Sequence, residues 1–260
     1  MLNDAIFVDI SLPGCRAVTT RRGAGGGLYG MFNACHYVGD NPDHVALSRA
    51  ALARYFGVEP SRLVIPRQTH SSIVNVVDGT ESSAILEGVD GIVTTAEGVV
   101  LCVNTADCVP VLLVDEQARV IAAVHSGWRG TVERISAVAV GEMCRLGASP
   151  HRIKVAMGPC ICRTCFEVGE EVTERFVAEF PAQRDIVICD PGKRDHIDLG
   201  VAIRHTLEDA GVLREHISQP IACSHCAGSP YFSARRLGMA SGRSLTAIML
   251  SSPCHAAPLG

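Results

Sequence analysis

VPVLLVDEQARVIAAVHSGWRG, Val109 to Gly130, is the stretch on which the fold turns. VPVLLV and VIAAVH are short, apolar and rich in valine and isoleucine, and they flank the polar segment DEQAR, so together they read as a β-hairpin. Folding that hairpin puts Cys108, just ahead of the first strand, opposite His125 or its neighbour Ser126. A slip of one residue would send Cys108 and His125 to opposite faces of the sheet. A third residue of apt chemistry, His70, stands beside an apolar segment in RQTHSSIV. Two imidazoles and one thiolate make a tetrahedral zinc set with one position open, the mark of a catalytic rather than a structural zinc. Taken singly, each residue also fits a packed cysteine or a hydrogen-bonded histidine. The Asp, Ser, Arg and Gly around the three strand ends keep ligation level with that reading.

The chain's 260 residues suffice to bury a core, and no linker composition interrupts them, so one domain over 1–260 is expected. Apolar residues make up 47%, yet no uninterrupted apolar run approaches the ~20 that span a bilayer, which points to a soluble chain without membrane partners. MLNDAIFVDI has neither a basic n-region nor a long apolar h-region, so no secretory signal is expected. The twelve cysteines are then expected as thiols in the cytoplasm rather than as disulfides. A formal charge of −4 with scattered Lys and Arg argues against a nucleic-acid partner.

Strand-like segments recur: AIFVDI, CRAVTT, LVI, IVNVV, GIVTT, VVLCVNT, RIKVAM, DIVI, ISQPIA and SLTAIML join the two of the hairpin. Apolar residues at helical spacing, Val132, Ile135, Ala139, Met143 and Leu146, predict a helix over 131–146 stopped by Gly147. Val168, Val172, Phe176 and Phe180 predict another over 167–180, and Leu199, Ile203, Leu207 and Ala210 a third, ended by Gly211. A fourth is expected from Pro42 to Phe56, ending at Gly57. Strands dominate the first half and the helices do not alternate strictly with them, which favours α+β over a doubly wound parallel sheet. The tail SSPCHAAPLG reads as frayed.

Two further segments carry chemistry. TTRRGAGGG combines arginines with glycines, so guanidinium and backbone N–H groups can converge on an anion. Gly25, Gly27 and Gly30 satisfy G-x-G-x-x-G, but no helix follows promptly and no downstream acid completes a dinucleotide fingerprint. HSGWRGT runs from a strand end into a predicted helix, so free N–H groups and Arg129 form a candidate phosphate site. Trp128 fits packing as well as stacking on a base. Cys162-x-x-Cys165 and Cys223-x-x-Cys226 invite a second zinc or a redox pair. Their separation far exceeds the ~15–20 residues of a zinc ribbon and Cys160 competes, so unlinked packed thiols are expected.

VTTRRGAGGGLYGMFN, RQTHS, DGIVTT, NTADCVPVLLVD, AVHSGWRGT, GPCICRTCFEVGEEV, HIDLGVAI and YFSARR…GR, in that order, resemble the YfiH or laccase-domain family. The likeness runs from about residue 15 to 250. It implies a layered sandwich of mixed sheets flanked by helices, and a metal triad of His70, Cys108 and His125. It also implies zinc-dependent phosphorolysis of purine nucleosides (adenosine, inosine, guanosine or 5′-methylthioadenosine) with phosphate as co-substrate, and an accompanying adenosine deaminase activity. The family's Gly-rich loop favours Arg21 over Arg22 as the working residue, although Ala24 stands where the family has its second glycine. Asn33, Gln68 and Asp90 match family positions, and Asn33 and Gln68 are candidate substrate-site residues. Asp107 is the carboxylate nearest the triad along the chain. It fits a general acid for the departing purine or a carboxylate that orients a ligating histidine. The H-x-E and P-C-x-x-C signature of zinc deaminases is absent. Three rivals remain: a cysteine hydrolase acting on peptidoglycan precursors, with Cys108 as nucleophile; a copper (Cu2+) polyphenol oxidase, disfavoured because H-x-H and H-C-H motifs are lacking; and a binding module that holds nucleoside without turnover.

Overall fold

The structure, a computed structural model, describes residues 6–251 except 26, 82–84 and 190–191. Two five-stranded mixed sheets form its centre. The first has the order β1 (Phe7–Ile10), β2 (Cys15–Thr20), β12 (Ser244–Leu250), β6 (Val100–Thr105), β3 (Leu63–Val64). The second runs β4 (Val74–Val76), β5 (Gly91–Thr94), β8 (Val120–Ser126), β7 (Val109–Asp115), β9 (Lys154–Met157). β3 and β6 pair in parallel, as do β4 and β5, and the other pairs in these two sheets are antiparallel. A small ribbon of β10 (Val187–Ile188) and β11 (His196–Ile197) lies apart.

Side-chain alternation along the strands builds three cores. Leu112, Val114, Ile121 and Ala123 of the second sheet meet Leu101, Val103, Ile248 and Leu250 of the first, so the sheets stack face to face. The other face of the second sheet, with Val111, Leu113, Ala122 and Val124, is covered by α3 (Ile135–Arg145), α4 (Glu170–Glu179) and α5 (Leu199–Asp209). The other face of the first, with Val18, Val100 and Ala247, is covered by α1 (Pro42–Phe56). This layered α+β sandwich explains the unbroken apolar runs of β7 and β8, whose residues are all buried because both faces are covered. No helix among the described residues is long and apolar enough to cross a membrane.

The hairpin forms, with its register one step from the expected one. Val109 pairs with Ser126 and Pro110 with His125, and Arg119 takes a left-handed φ of 53° in the turn. Cys108 therefore lies just beyond the ladder, diagonal to His125. It shares the parity of Pro110, hence the face of His125.

α1 has its expected bounds: the Asn41 side chain accepts from the Asp43 N–H and Gly57 closes it at φ 73°. The helix expected over 131–146 is instead two, α2 (Trp128–Val132) and α3, because Arg134 sits at φ 55°. Its guanidinium pairs with Glu179 and with Asp209 (2.8 Å) and lies over the Phe180 ring, contacts that offset the left-handed backbone. The apolar stripe survives the break, since Val132, Ile135, Ala139 and Met143 all enter the same core. The helix expected from 167 starts at Glu170, because Glu167 bridges His196 and the Val168 N–H donates to the Asp195 carbonyl. ISQPIA makes only isolated bridges, Ile217 to Val155 and, just beyond it, Cys223 to Cys160. The tail from residue 252 lies outside the described residues.

Candidate active site

The end of β6, the starts of β7 and β12 and the end of β8 converge at one end of the sandwich and open a cavity of about 390 Å³. His70, Cys108 and His125 line it, and their ligand atoms all lie within 4.8 Å of one another. The two imidazole rings stand edge to face at 4.9 Å.

Asp90 assembles this cluster. It is fully buried, and its carboxylate accepts from Nδ1 of His125 at 2.6 Å. The same carboxylate accepts the N–H groups of Thr69, His70 and Ser71 at 2.9–3.0 Å, and the Ser71 hydroxyl at 2.8 Å. Those bonds hold His70 at φ 64°, a conformation that a non-glycine residue keeps only when its surroundings impose it. With Nδ1 engaged, His125 turns Nε2 towards Cys108. Burial alone would raise the Asp90 carboxyl, but the His125 contact and the backbone N–H groups outweigh it and leave it lowered. Burial likewise pushes the Cys108 thiol up, yet the charge of His125 and hydrogen bonds from both histidines bring it down to about 6. For His125, burial disfavours the cation, and the Cys108 thiolate and Asp90 more than offset it, raising the imidazole to about 9.

The carboxylate that orients a histidine is thus Asp90, while Asp107 does something else. Asp107 lines the cavity at φ 88°. Its oxygens accept from the Ser224 hydroxyl (2.7 Å) and from the N–H of Arg235 (2.8 Å), the latter in the short helix α6 (Ala234–Leu237). Gln68 also lines the cavity, but its amide is spent on both backbone groups of Asn104, at 2.7 and 2.8 Å. Asn33 is buried outside the lining and accepts from the Arg243 N–H. Arg21 lines a separate cavity with Arg22, Gly23 and Met31. Arg129 lies 4.3 Å above the Trp128 ring, away from the cavity lining, and the helix it helps to open has only five residues. Trp128 packs on the helix-side core.

Sequence reasoning passed over Asn104, Tyr37, Phe166, Arg235 and Arg243, all of which line the cavity. Asn104 is only 2% exposed, and neither its Nδ2 nor its Oδ1 has a hydrogen-bond partner among the described residues. The Tyr37 phenol, pushed well up by burial, feels that amide, but no bond of hydrogen-bond geometry joins the two. Arg235 is anchored on the Glu167 carbonyl by two bonds of 3.0–3.1 Å and lies over Phe166. A signal existed: both arginines belong to YFSARR…GR, but nothing in their spacing ties residues 231–243 to Cys108.

The model of a family described as multi-copper polyphenol oxidoreductase laccase matches residues 15–251. Among curated relatives, a protein named adenosine deaminase RL5, from an unknown prokaryotic organism, is 48% identical over 248 residues, covering 92% of this chain and 95% of that protein. One named purine nucleoside phosphorylase, from Bacteroides thetaiotaomicron, is 37% identical and covers 90% of each. Among solved structures, YfiH of Bacillus licheniformis superposes with a TM-score of 0.88 at 26% identity, over 96% of this chain and 98% of that one. YlmD of Geobacillus stearothermophilus does so at 0.88 and 28%, over 97% and 98%. With a family model over residues 15–251, relatives 37% and 48% identical over nearly the whole chain and a shared fold, the chain belongs to the YfiH or laccase-domain family of enzymes acting on purine nucleosides.

Proposed function

We propose that this chain is a cytoplasmic zinc-dependent purine nucleoside phosphorylase, splitting adenosine, inosine, guanosine or 5′-methylthioadenosine with phosphate into free base and ribose 1-phosphate. The observation that carries this reading is one cavity holding a His–Cys–His donor set, a buried unpartnered amide and two arginines. The donor set fits zinc: two nitrogens and a sulfur, with Asp90 fixing the His125 tautomer from behind. Zinc held by His70, Cys108 and His125 would supply a Lewis acid with one open position. The same donors suit copper, so elemental analysis and the colour of a copper thiolate test the metal's identity.

The remaining roles belong to side chains. The Asn104 amide offers a donor and an acceptor side by side. They match N6 and N7 of adenine, or O6 and N1–H of hypoxanthine, and binding base would satisfy both orphan atoms. Phe166 supplies an aromatic wall, and Arg235 and Arg243 supply the positive charge for phosphate. Asp107 has a donor on each oxygen, the arrangement of an acceptor, so we assign it to positioning: it ties the Cys108 loop to α6. Adenosine deamination is a second reading, favoured by the relative of that name and by a three-residue donor set that would leave zinc one position for water. Purified protein incubated with the nucleoside panel decides: base and ribose 1-phosphate formed only with phosphate support phosphorolysis. Inosine from adenosine without phosphate supports deamination, and no turnover of any nucleoside rejects both.

Two variants probe the assignments. Arg235→Ala should raise the phosphate KM by roughly 10–100-fold, the effect of losing a charge-assisted contact of about 1.5–3 kcal/mol. Arg129→Ala should change it little, and the reverse order in steady-state kinetics would return the phosphate site to Arg129. Gly127 passes so close to the cluster that a Cβ there would sit 2.9 Å from His70 Cδ2 and 3.0 Å from Cys108 Sγ. Gly127→Ala should therefore fold but bind zinc at least about tenfold more weakly in competition with a chromophoric chelator, the scale set by disturbed ligand orientation. Unchanged affinity would detach these two residues from the metal.

A further inference from the structure

The two Cys-x-x-Cys pairs, too far apart in sequence to suggest a shared site, meet in the fold. The four sulfurs of Cys162, Cys165, Cys223 and Cys226 all lie within 4.8 Å of one another. Their meeting is built by backbone: Cys160 and Cys223 form a parallel bridge, in which the Cys160 N–H donates to the Ala222 carbonyl (3.1 Å) and the Ser224 N–H to the Cys160 carbonyl (2.8 Å). The first loop turns tightly, since the Cys162 carbonyl accepts from the N–H groups of both Cys165 and Phe166 at 3.0 Å.

The spacing decides between a disulfide and a metal. Cys165 Sγ and Cys226 Sγ are 3.7 Å apart. A disulfide needs about 2.0 Å, whereas sulfurs about 2.3 Å from a central zinc stand about 3.8 Å from each other. The surroundings also favour thiolates. The Cys162 N–H donates to Cys223 Sγ at 3.3 Å, and the Thr164 hydroxyl is 3.2 Å from Cys162 Sγ. Arg236 donates to the Cys226 carbonyl at 3.2 Å, placing a cation beside a centre that four thiolates and one divalent ion would leave doubly negative.

We infer that Cys162, Cys165, Cys223 and Cys226 form a tetrathiolate zinc site, separate from the cavity cluster. On binding, four thiols give up their protons to solvent and four Zn–S bonds form, with no redox change. With four protein ligands the site is closed and therefore structural. It would staple together two loops that wall the cavity: Phe166, next to Cys165, lines it, and Ser224, next to Cys223, holds Asp107.

The inference is independent of the nucleoside reading, and zinc content of full-length protein tests it. His125→Ala, which removes a cavity ligand, should retain about one zinc per chain. Cys165→Ser/Cys226→Ser in the His125→Ala background should lose it. Should that variant fail to fold, two measurements on wild-type protein still decide. Alkylation followed by mass spectrometry should find the four thiols protected until chelation, while exposed Cys189 reacts throughout. Cobalt replacement after chelation should give intense thiolate charge-transfer bands. A Cys165–Cys226 disulfide in non-reduced peptides, iron in place of zinc, or four thiols reacting as fast as Cys189 in metal-replete protein would each overturn it.

Discussion

Replacing His125 with alanine is expected to abolish phosphorolysis and to lower zinc affinity at the cavity by more than about 100-fold, while leaving the chain folded. The size follows from the cluster. Disturbing an outer partner of a metal-bound histidine already costs about 10–100-fold, and this change removes the ligand itself. Asp90→Asn, which weakens only the outer partner, should fall inside that range. Folding should survive because His125 stands at the end of β8, past the core residues Ala122, Ala123 and Val124. The substitution also leaves the Asp90 carboxylate its bonds to Thr69, His70 and Ser71. Zinc titrations of chelator-stripped protein, with circular dichroism as the control for folding, measure it. Wild-type affinity at the cavity in a folded His125→Ala protein would remove His125 from the metal set.

The meeting of His70, Cys108 and His125 was largely legible in the sequence because these residues sit where strands end. DEQAR between two valine-rich runs announced β7 and β8, and Pro42 and Gly57 announced both ends of α1. The register was one residue off because Asp115 pairs with Val120 and so belongs to the ladder, leaving the loop to residues 116–119. Pattern cannot correct this, since both faces of these strands are buried and neither shows polar alternation. Asp90 shows the same limit at the site. Its family position was visible, but its grip on residues 69–71 and on His125 depends on β5 lying beside β8, a pairing between distant segments. Asn104 stayed hidden for a different reason. An asparagine at a strand end is ordinarily a turn residue, and only the absence of a partner for a buried amide singles it out. Arg129 misled because a glycine and an arginine before an apolar stripe look like a long helix start. The αL residue Arg134, stabilised by Glu179 and Asp209 from two other helices, cuts that helix to one turn and a half.

Cys108 should react with iodoacetamide slowly in zinc-loaded protein and far faster, by about 100-fold or more, once zinc is stripped. A thiolate bound to zinc has its charge neutralised and its lone pair occupied, whereas the stripped site leaves Cys108 beside His125 with its thiol lowered to about 6. The pH profile follows from the sign of that shift. The reactive form is the anion, so the rate in stripped protein should rise as pH passes through about 6 and flatten above it, below the ordinary thiol value of 9.0. The tryptic peptide that carries Cys108, Gln68–Arg119, also carries Cys102, which is fully buried with its thiol pushed up, so fragmentation provides an internal control. The same experiment separates the two enzyme readings. A cysteine hydrolase acting on cell-wall precursors needs a thiolate that is free in the working enzyme, with His125 or His70 as its base. Fast labelling of zinc-loaded protein at pH 7, with activity lost in step, would make Cys108 the nucleophile and replace the phosphorylase reading. Protection that chelation removes keeps Cys108 as a ligand, because a thiolate whose lone pair is held by the metal cannot also attack a substrate.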